Sequence, residues 1–378
     1  MKRMALATLA CLCAGTSNAQ SSVVVYGVFD TALRYTTNAG PDGARKLSVD
    51  GGMIQGSRLG FRGTEDMGGN LKAIFDLQAG FNPDTGGSAQ QGQLFGRQAW
   101  VGLQADWGTL TAGRQFVLGF DTLASFDPYG VGNHGAISWH ADLVGVRFDN
   151  TLKYRAGFGP IGVAAAYSFG EQPGNRVKGQ TAALAAGYTA GDYAFSAMVQ
   201  QSTDVNEHRA RAWAAGGTAQ AGPVKLFGGY VHNRRDQGFA VCGSNNATSL
   251  GSTPVGCQLP SAAANPNGIN GPLSNTGLRA GPANADAKTG FVVLGATWQT
   301  TAQFTLTAGF MGENNQVEIA GASEGRRRTF YGVADYYLSK RTDIYASVDH
   351  DRRSGAYAGA YSGRDTQTGL MLGLRHRF

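Results

Sequence analysis

Both ends of the chain alternate in polarity with a period of two. In Val23–Tyr35 one parity holds Val23, Val25, Gly27, Phe29, Thr31, Leu33 and Tyr35, and the other holds Tyr26, Asp30 and Arg34. The last stretch repeats the pattern: Thr366, Thr368, Leu370, Leu372, Leu374, His376 and Phe378 interleave with Gln367, Gly369, Met371, Gly373, Arg375 and Arg377. Successive side chains of a strand point to opposite faces, so each segment carries an apolar face and a polar one. Spans of about ten residues with this pattern, closing on an aromatic residue, are the signature of a barrel wall that meets lipid.

Between these ends lie candidate strands near 53–63, 71–81, 95–105, 108–113, 147–155, 162–169, 180–188, 193–201, 211–219, 224–232, 290–299, 303–311, 328–338 and 343–351, sixteen with the terminal pair. Their connections alternate. Thr64 to Asn70, Ala156 to Ile161, Thr189 to Asp192, Gln220 to Pro223 and Leu338 to Thr342 are tight; those near 37–52, 82–94, 233–289, 312–327 and 352–363 are loose. Short periplasmic turns and longer outer loops follow this order in a transmembrane barrel, and an even strand count puts both termini on the periplasmic side. The composition agrees: 57 Gly, 14 Tyr and 19 Phe with 15% charged residues suit aromatic strands and tight turns better than helices. The segment 233–289 holds five of the eleven prolines and reads as a long surface loop, because the strand pattern beyond it continues the one before it. The expected fold is therefore all-β: one sixteen-stranded antiparallel transmembrane barrel from residue 20 to 378.

Residues 1–19 have a basic start (Lys2, Arg3), an apolar run from Met4 to Ala14 and the small-residue end Ser17-Asn18-Ala19, the shape of a secretory signal peptide. Cleavage is expected after Ala19. The rest has no apolar run of membrane-helix length, which argues against an inner-membrane protein. Net charge falls from +6 to +4 when Lys2 and Arg3 leave with the signal, and the remaining bases are scattered, unlike a nucleic-acid footprint. Cys11 and Cys13 leave too, so Cys242 and Cys257 remain as an even pair that an oxidising periplasm favours as a disulfide.

The stretch from Gly113 to Arg155 breaks the rhythm. More than thirty residues separate the strand ending at Gly113 from the one opening at Arg147, with neither helical nor alternating periodicity, and loops of that length are usually functional or disordered. This one carries Phe116, Leu118, Phe120, Leu123, Phe126 and Tyr129, too apolar for a solvated tail, so it is expected to fold back against protein.

Four motifs in order carry a family resemblance. Ser57-Arg-Leu-Gly-Phe-Arg-Gly63 followed by Glu65-Asp66, Gly96-Arg-Gln-Ala-Trp-Val-Gly-Leu103, Arg147-Phe-Asp-Asn-Thr-Leu-Lys-Tyr154 and Gly332-Val-Ala-Asp-Tyr-Tyr-Leu-Ser-Lys-Arg-Thr-Asp343 resemble the general diffusion porins of Gram-negative outer membranes, from Val23 to the terminal Phe378. The resemblance implies a homotrimeric, sixteen-stranded barrel in the outer membrane, in contact with lipid and lipopolysaccharide. It also implies an inward-folded third loop, and a water-filled channel for small ions and hydrophilic solutes. Its basic wall positions carry over to Arg58, Arg97 and Arg147, and parity agrees at the first, where Leu59 and Phe61 alternate with Arg58 and Arg62. The acidic side of the constriction matches less closely: Asp127-Pro-Tyr-Gly stands where an acidic residue beside an aromatic and glycines is common, with Asp121 nearby. Asp127 has a second reading as the first residue of a turn through Pro128. An excess of Arg over Asp at the constriction predicts preference for anions; a pore tuned to one solute class is the alternative.

Other classes fit less well. Ser138, His140 and Asp142 would share a face if extended, but three side chains on one strand do not supply a nucleophile, its base and an oxyanion site from different directions. His134, His140, His208 and His232 lack metal-ligand spacing. No phosphate-binding loop is present, and neither metal nor cofactor is expected. An adhesin would need a passenger domain, for which no room is expected before Val23.

The cysteine pair yields the first prediction. A bond between Cys242 and Cys257 closes about fifteen residues, worth roughly 3 kcal/mol in the chain-entropy model. Mass spectrometry without reductant should find no alkylatable thiol in the exported protein; two free thiols would refute the bond.

Overall fold

The computed structural model describes residues 22–241 and 278–378. Residues 1–19, Cys242 and Cys257 lie outside the described residues, and with them the expected signal and disulfide. The strands are β1 (Ser22–Thr36), β2 (Lys46–Gly51), β3 (Arg58–Gly68), β4 (Leu71–Gly80), β5 (Gln98–Ala105), β6 (Gly108–Phe116), β7 (Arg147–Phe158), β8 (Ile161–Ser168), β9 (Thr181–Ala190), β10 (Tyr193–Thr203), β11 (Arg209–Ala221), β12 (Val224–Arg235), β13 (Ala287–Gln299), β14 (Phe304–Val317), β15 (Gly325–Tyr337), β16 (Thr342–Gly355) and β17 (Thr366–Arg377). From β3 onward each pairs antiparallel with its neighbour in sequence, and β1 closes the ring against β17 from Val28↔Arg377 to Thr36↔Gly369. Phe378 extends the seam through reciprocal backbone bonds with Gly27 of 3.0 and 3.2 Å.

The seventeen segments make sixteen wall positions, because β2 and β3 share one: β3 pairs with Ser22–Val28 of β1, and β2 with Thr31–Thr36. The sequence reading placed a strand at 53–63 and a loop at 37–52, and both boundaries move. Residues 52–57 leave the wall to bury Met53 and Ile54, and the break is tied by Asp30. Its Oδ2 accepts from the Gln55 amide at 2.8 Å, its Oδ1 accepts from the Tyr345 hydroxyl at 2.8 Å, and that hydroxyl accepts from the Met53 amide at 2.8 Å. The long connection expected over 233–289 narrows to 236–286, since β12 and β13 run further than their apolar cores suggest.

Burial along the wall inverts the soluble pattern. On β16 Asp343, Asp349 and Asp351 are buried, while Ile344 and Val348 are exposed; on β17 Leu370, Leu372 and Leu374 are exposed. Charge inside and hydrocarbon outside is what a closed barrel in lipid requires, because closure alone satisfies every strand's backbone groups there.

The segment between β6 and β7 is more ordered than its sequence suggests: α1 (Leu118–Ser125), α2 (Gly135–Ser138) and a 3-10 turn (Trp139–Leu143). The helix was missed because only Leu118, Gly119, Thr122 and Leu123 form its buried stripe, while Phe120 stacks back on Phe116 with ring centroids 4.6 Å apart and blurs the period. The segment packs on the wall face opposite the exposed hydrocarbon. Phe126 is fully buried over Gly216 and Gly229, which face each other across β11 and β12. A Cβ on either glycine would fall 2.4 or 2.2 Å from the ring, so only glycine leaves this seat open. Gln200 Nε2 donates to Val144 O and Asn233 Nδ2 to Leu143 O, each at 2.7 Å.

The glycine seat predicts that Gly229→Leu displaces Phe126 at a cost of about 1–3 kcal/mol, the usual range for overpacking. Limited proteolysis should cut within 117–146 of the variant, and its unfolding temperature in detergent should fall. Parent-like values of both would refute the seat.

Candidate channel constriction

Arg58 opens β3, Arg97 directly precedes β5 and Arg147 opens β7, so three positions distant in sequence converge on one sector of the inner wall. Arg97 lies within electrostatic reach of Arg58, and Arg147 within reach of Arg97, Arg58 and Arg114. Their contacts hold them without neutralising them. Arg58 Nη1 donates to Gly56 O at 3.1 Å; Arg97 Nε donates to Gln78 Oε1 at 2.7 Å; the Arg147 guanidinium sits 4.4 Å over the Phe116 ring. Gln78 is itself fixed by Tyr26, whose hydroxyl donates to Asp76 at 2.6 Å. Among the described residues, none of the three has a carboxylate at ion-pair distance. Arg114, which the sequence reading missed, joins the sector but pairs with Asp149 at 2.7 Å.

The expected acidic partners lie elsewhere. Asp121, on the first turn of α1, takes Lys153 at 3.3 Å and Arg155 in closer contact, both from β7. Asp127 is 3% exposed and serves the turn: its Oδ1 accepts from the amides of Tyr129 at 2.8 Å and Val131 at 3.2 Å. Burial pushes its carboxyl up to about 6 despite those bonds. It is not a lining residue, and the turn reading is the one observed. His140, 3.7 Å from Asp127 Oδ2, is pushed down to about 3 by burial and stacks flat on Phe291 at 4.6 Å. Ser138, His140 and Asp142 follow helical turns rather than an extended strand, and share no face of the kind considered above.

A second charged sector escaped the sequence reading. Arg34 grips Asp349 with two bonds of 2.8 and 2.9 Å, and Asp351 takes Arg327 at 2.9 Å and Arg353 at 3.3 Å. Together with Trp139, Tyr357 and Tyr361 these groups line a cavity of about 440 Å³. Arg279, from the end of the 236–286 connection, spans two carboxylates: Asp142 of the third loop at 2.9 and 2.8 Å, and Glu313 of β14 at 2.7 and 2.9 Å. Its own amide donates to Asp142 O at 2.8 Å. Alternation at Asp349, Asp351 and Arg353 signals the wall half of this group; no local pattern ties Arg279 to Asp142.

A closed wall with hydrocarbon outside, charge inside and a long segment packed on its inner face defines a channel-forming barrel of the outer membrane. Residues 5–356 match the Gram-negative porin family, and the chain belongs to it. It is 29% identical over 402 residues to an outer-membrane porin protein of Bordetella pertussis, covering 97% of this chain and 96% of that one. Among solved structures it resembles an anion-selective porin from Comamonas acidovorans, with a TM-score of 0.70, 23% identity, and 95% and 100% of the two chains covered. A trimer form of the Vibrio cholerae outer-membrane protein OmpT superposes with a TM-score of 0.66 at 15% identity, covering 95% and 99%. The protein is an outer-membrane porin.

Arg279→Met should strand Asp142 and Glu313 without their shared base. Removing one partner of a buried pair costs about 3–5 kcal/mol, so the unfolding temperature should drop markedly. Adding Asp142→Asn and Glu313→Gln should restore part of the loss. Additive, rather than compensating, losses would show that the three groups do not act together.

Proposed function

We propose that this porin passes small hydrophilic solutes and ions by passive diffusion, prefers anions, and works as a homotrimer after removal of residues 1–19. The third loop narrows the channel, and Arg58, Arg97 and Arg147 supply its charge. One observation carries the preference: these three bases share a sector without a carboxylate at ion-pair distance, while Asp121 is held by Lys153 and Arg155. The acidic side of the proposed constriction is thus largely neutralised where the sequence reading expected opposition. The fold shared with a porin described as anion-selective, and with another solved in a trimer form, supports the reading. No catalytic step is assigned.

A unit charge about 7 Å from an ion contributes roughly 0.6 kcal/mol in water and about 2 kcal/mol at an effective dielectric near 20. Three such charges favour chloride over potassium by about tenfold or more. The preference should weaken as salt rises, because the Debye length shrinks from about 10 Å at 0.1 M to about 3 Å at 1 M.

A tuned pore draws support from the cavity, whose aromatic rings and paired charges of both signs suit a zwitterionic solute. Block of the chloride current by amino acids or short peptides at micromolar concentration would favour that reading.

The zero-current potential across a potassium chloride gradient tests the main one. The parent should select anions, and Arg→Ala at 58, 97 and 147 should each reduce the potential. A cation-selective parent overturns the preference; an anion-selective parent unmoved by all three removes these residues as its source.

A further inference from the structure

Residues 52–57 leave the wall for the interior, as the third loop does, and the two meet at the loop's tip. The Met53 carbonyl accepts from the amides of Asn133 at 2.9 Å and His134 at 3.2 Å, and Asn133 Nδ2 donates to Gly52 O at 2.9 Å. Met53 and Ile54 are buried in the same apolar cluster as Ile137, so excursion and loop share a core as well as hydrogen bonds. The junction is tight: a Cβ on residue 52 would fall 1.6 Å from Asp30 Oδ1, and one on Gly132 would fall 2.2 Å from the Ile137 side chain.

The same junction touches the basic sector. A Cβ built on Gly56 would lie 2.8 Å from Arg97 Nη1 and 2.9 Å from Asn133 Oδ1, so a guanidinium from the wall and a carboxamide from the loop approach one point. Arg58 Nη1 donates to the carbonyl of that glycine at 3.1 Å. Asn133 is exposed, although its backbone amide and side-chain nitrogen are fastened. These neighbours orient its carboxamide: the nitrogen, a donor, faces a carbonyl, and the oxygen, an acceptor, faces a cation. Asp121 and Asp127 are engaged elsewhere, by Lys153 and Arg155 and by the turn amides. The loop residue that meets Arg97 over Gly56 is thus a neutral one.

We propose that Asn133 is a specificity-determining residue of this channel: it fills the loop-side place across from Arg97, and its neutral amide leaves the basic sector unopposed where a carboxylate would cancel one charge. The proposal rests on the reading that Arg58, Arg97 and Arg147 line the narrow part of the channel, and not on the sign of the parent's preference. Asparagine and aspartate have nearly the same shape, so the exchange of one nitrogen for oxygen decides the charge at this point. A carboxylate within about 4–6 Å of a guanidinium offsets it strongly. An acid at 133 keeps an oxygen toward Arg97, while the two backbone bonds to Met53 O still hold the loop tip in place.

The test reads the zero-current potential of the full-length barrel across a potassium chloride gradient, parent and variants side by side. Asn133→Asp should move the chloride-to-potassium ratio toward potassium by about twofold, the share of one charge among three in a roughly tenfold preference. The shift should fade in about 1 M salt. Asn133→Ala loses the bond to Gly52 too but carries no charge, and should stay near the parent. Gln303→Glu adds a carboxylate on the exposed turn between β13 and β14 and should also leave the ratio near the parent's. Gly56→Asp brings a carboxylate to the same point from the wall side, against two side-chain ends that can give way, and should reproduce the shift. It alone decides if Asn133→Asp shows no heat-shifted band on unboiled gels. A ratio unmoved by the carboxylate overturns the proposal, as does an equal shift in Asn133→Ala, which would mark the residue as a structural tie only, or in Gln303→Glu. Every shift is read against the parent, so a cation-selective parent would refute the anion preference while this proposal is still judged by the direction of the shift.

Discussion

Closure of the hydrogen-bond ring is the constraint on which everything else rests. A strand edge left open in hydrocarbon leaves a row of unmet amides and carbonyls, each costing several kcal/mol. The ends of the chain therefore meet: β1 pairs with β17 on one side and with β2 and β3 on the other. The wall breaks at 52–57, where β2 hands over to β3, and there side chains replace the ladder. Asp30 and Tyr345 take up the Gln55 and Met53 amides, and Ser57 Oγ exchanges bonds of 3.0 Å with the Asp30 backbone.

Closure also fixes where charge goes. Once one parity of every strand faces hydrocarbon, the other must hold nearly all the ionisable groups, and an interior that admits water tolerates them unevenly. On the β14–β17 side they neutralise one another, as with Arg34 and Asp349 or Arg327 and Asp351. On the β3–β7 side Arg58, Arg97 and Arg147 are held by a carbonyl, an amide oxygen and an aromatic ring, none of which removes the charge. The asymmetry of partners, rather than the number of arginines, gives the inner wall its local sign.

Most of the wall was legible in the sequence because period-two alternation is a local signal, readable strand by strand, and Gly-rich turns mark the gaps. What escaped depends on distant partners. β2 is a strand only because β1 offers a free edge opposite Thr31–Thr36, and α1 shows too few turns for its stripe to stand out from the surrounding aromatics. Arg58, Arg97 and Arg147 were found through strand motifs and do converge. Asp127 was misjudged as a lining residue because a carboxylate beside Pro and Gly serves a turn as readily as a channel, and only its burial separates the two. Arg279 was invisible for a simpler reason: its partners Asp142 and Glu313 are 137 and 34 residues away in sequence.

The proposed constriction separates aperture from selectivity by the forces involved. The third loop is seated by Phe126 over two facing glycines and by neutral bonds from Gln200 and Asn233, contacts that mobile ions do not screen. Its tie from Asp142 to Arg279 is buried, with side-chain exposures of 12% and 13%, whereas Asp121, which takes Lys153 and Arg155, is 31% exposed, and buried pairs are screened far less than exposed ones. The three basic wall residues are proposed to act instead through channel water, where screening is strong. On that proposal, raising the salt concentration weakens the field of the three bases while leaving the buried contacts of the third loop in place, so the proposed charge preference can fall without a change of width.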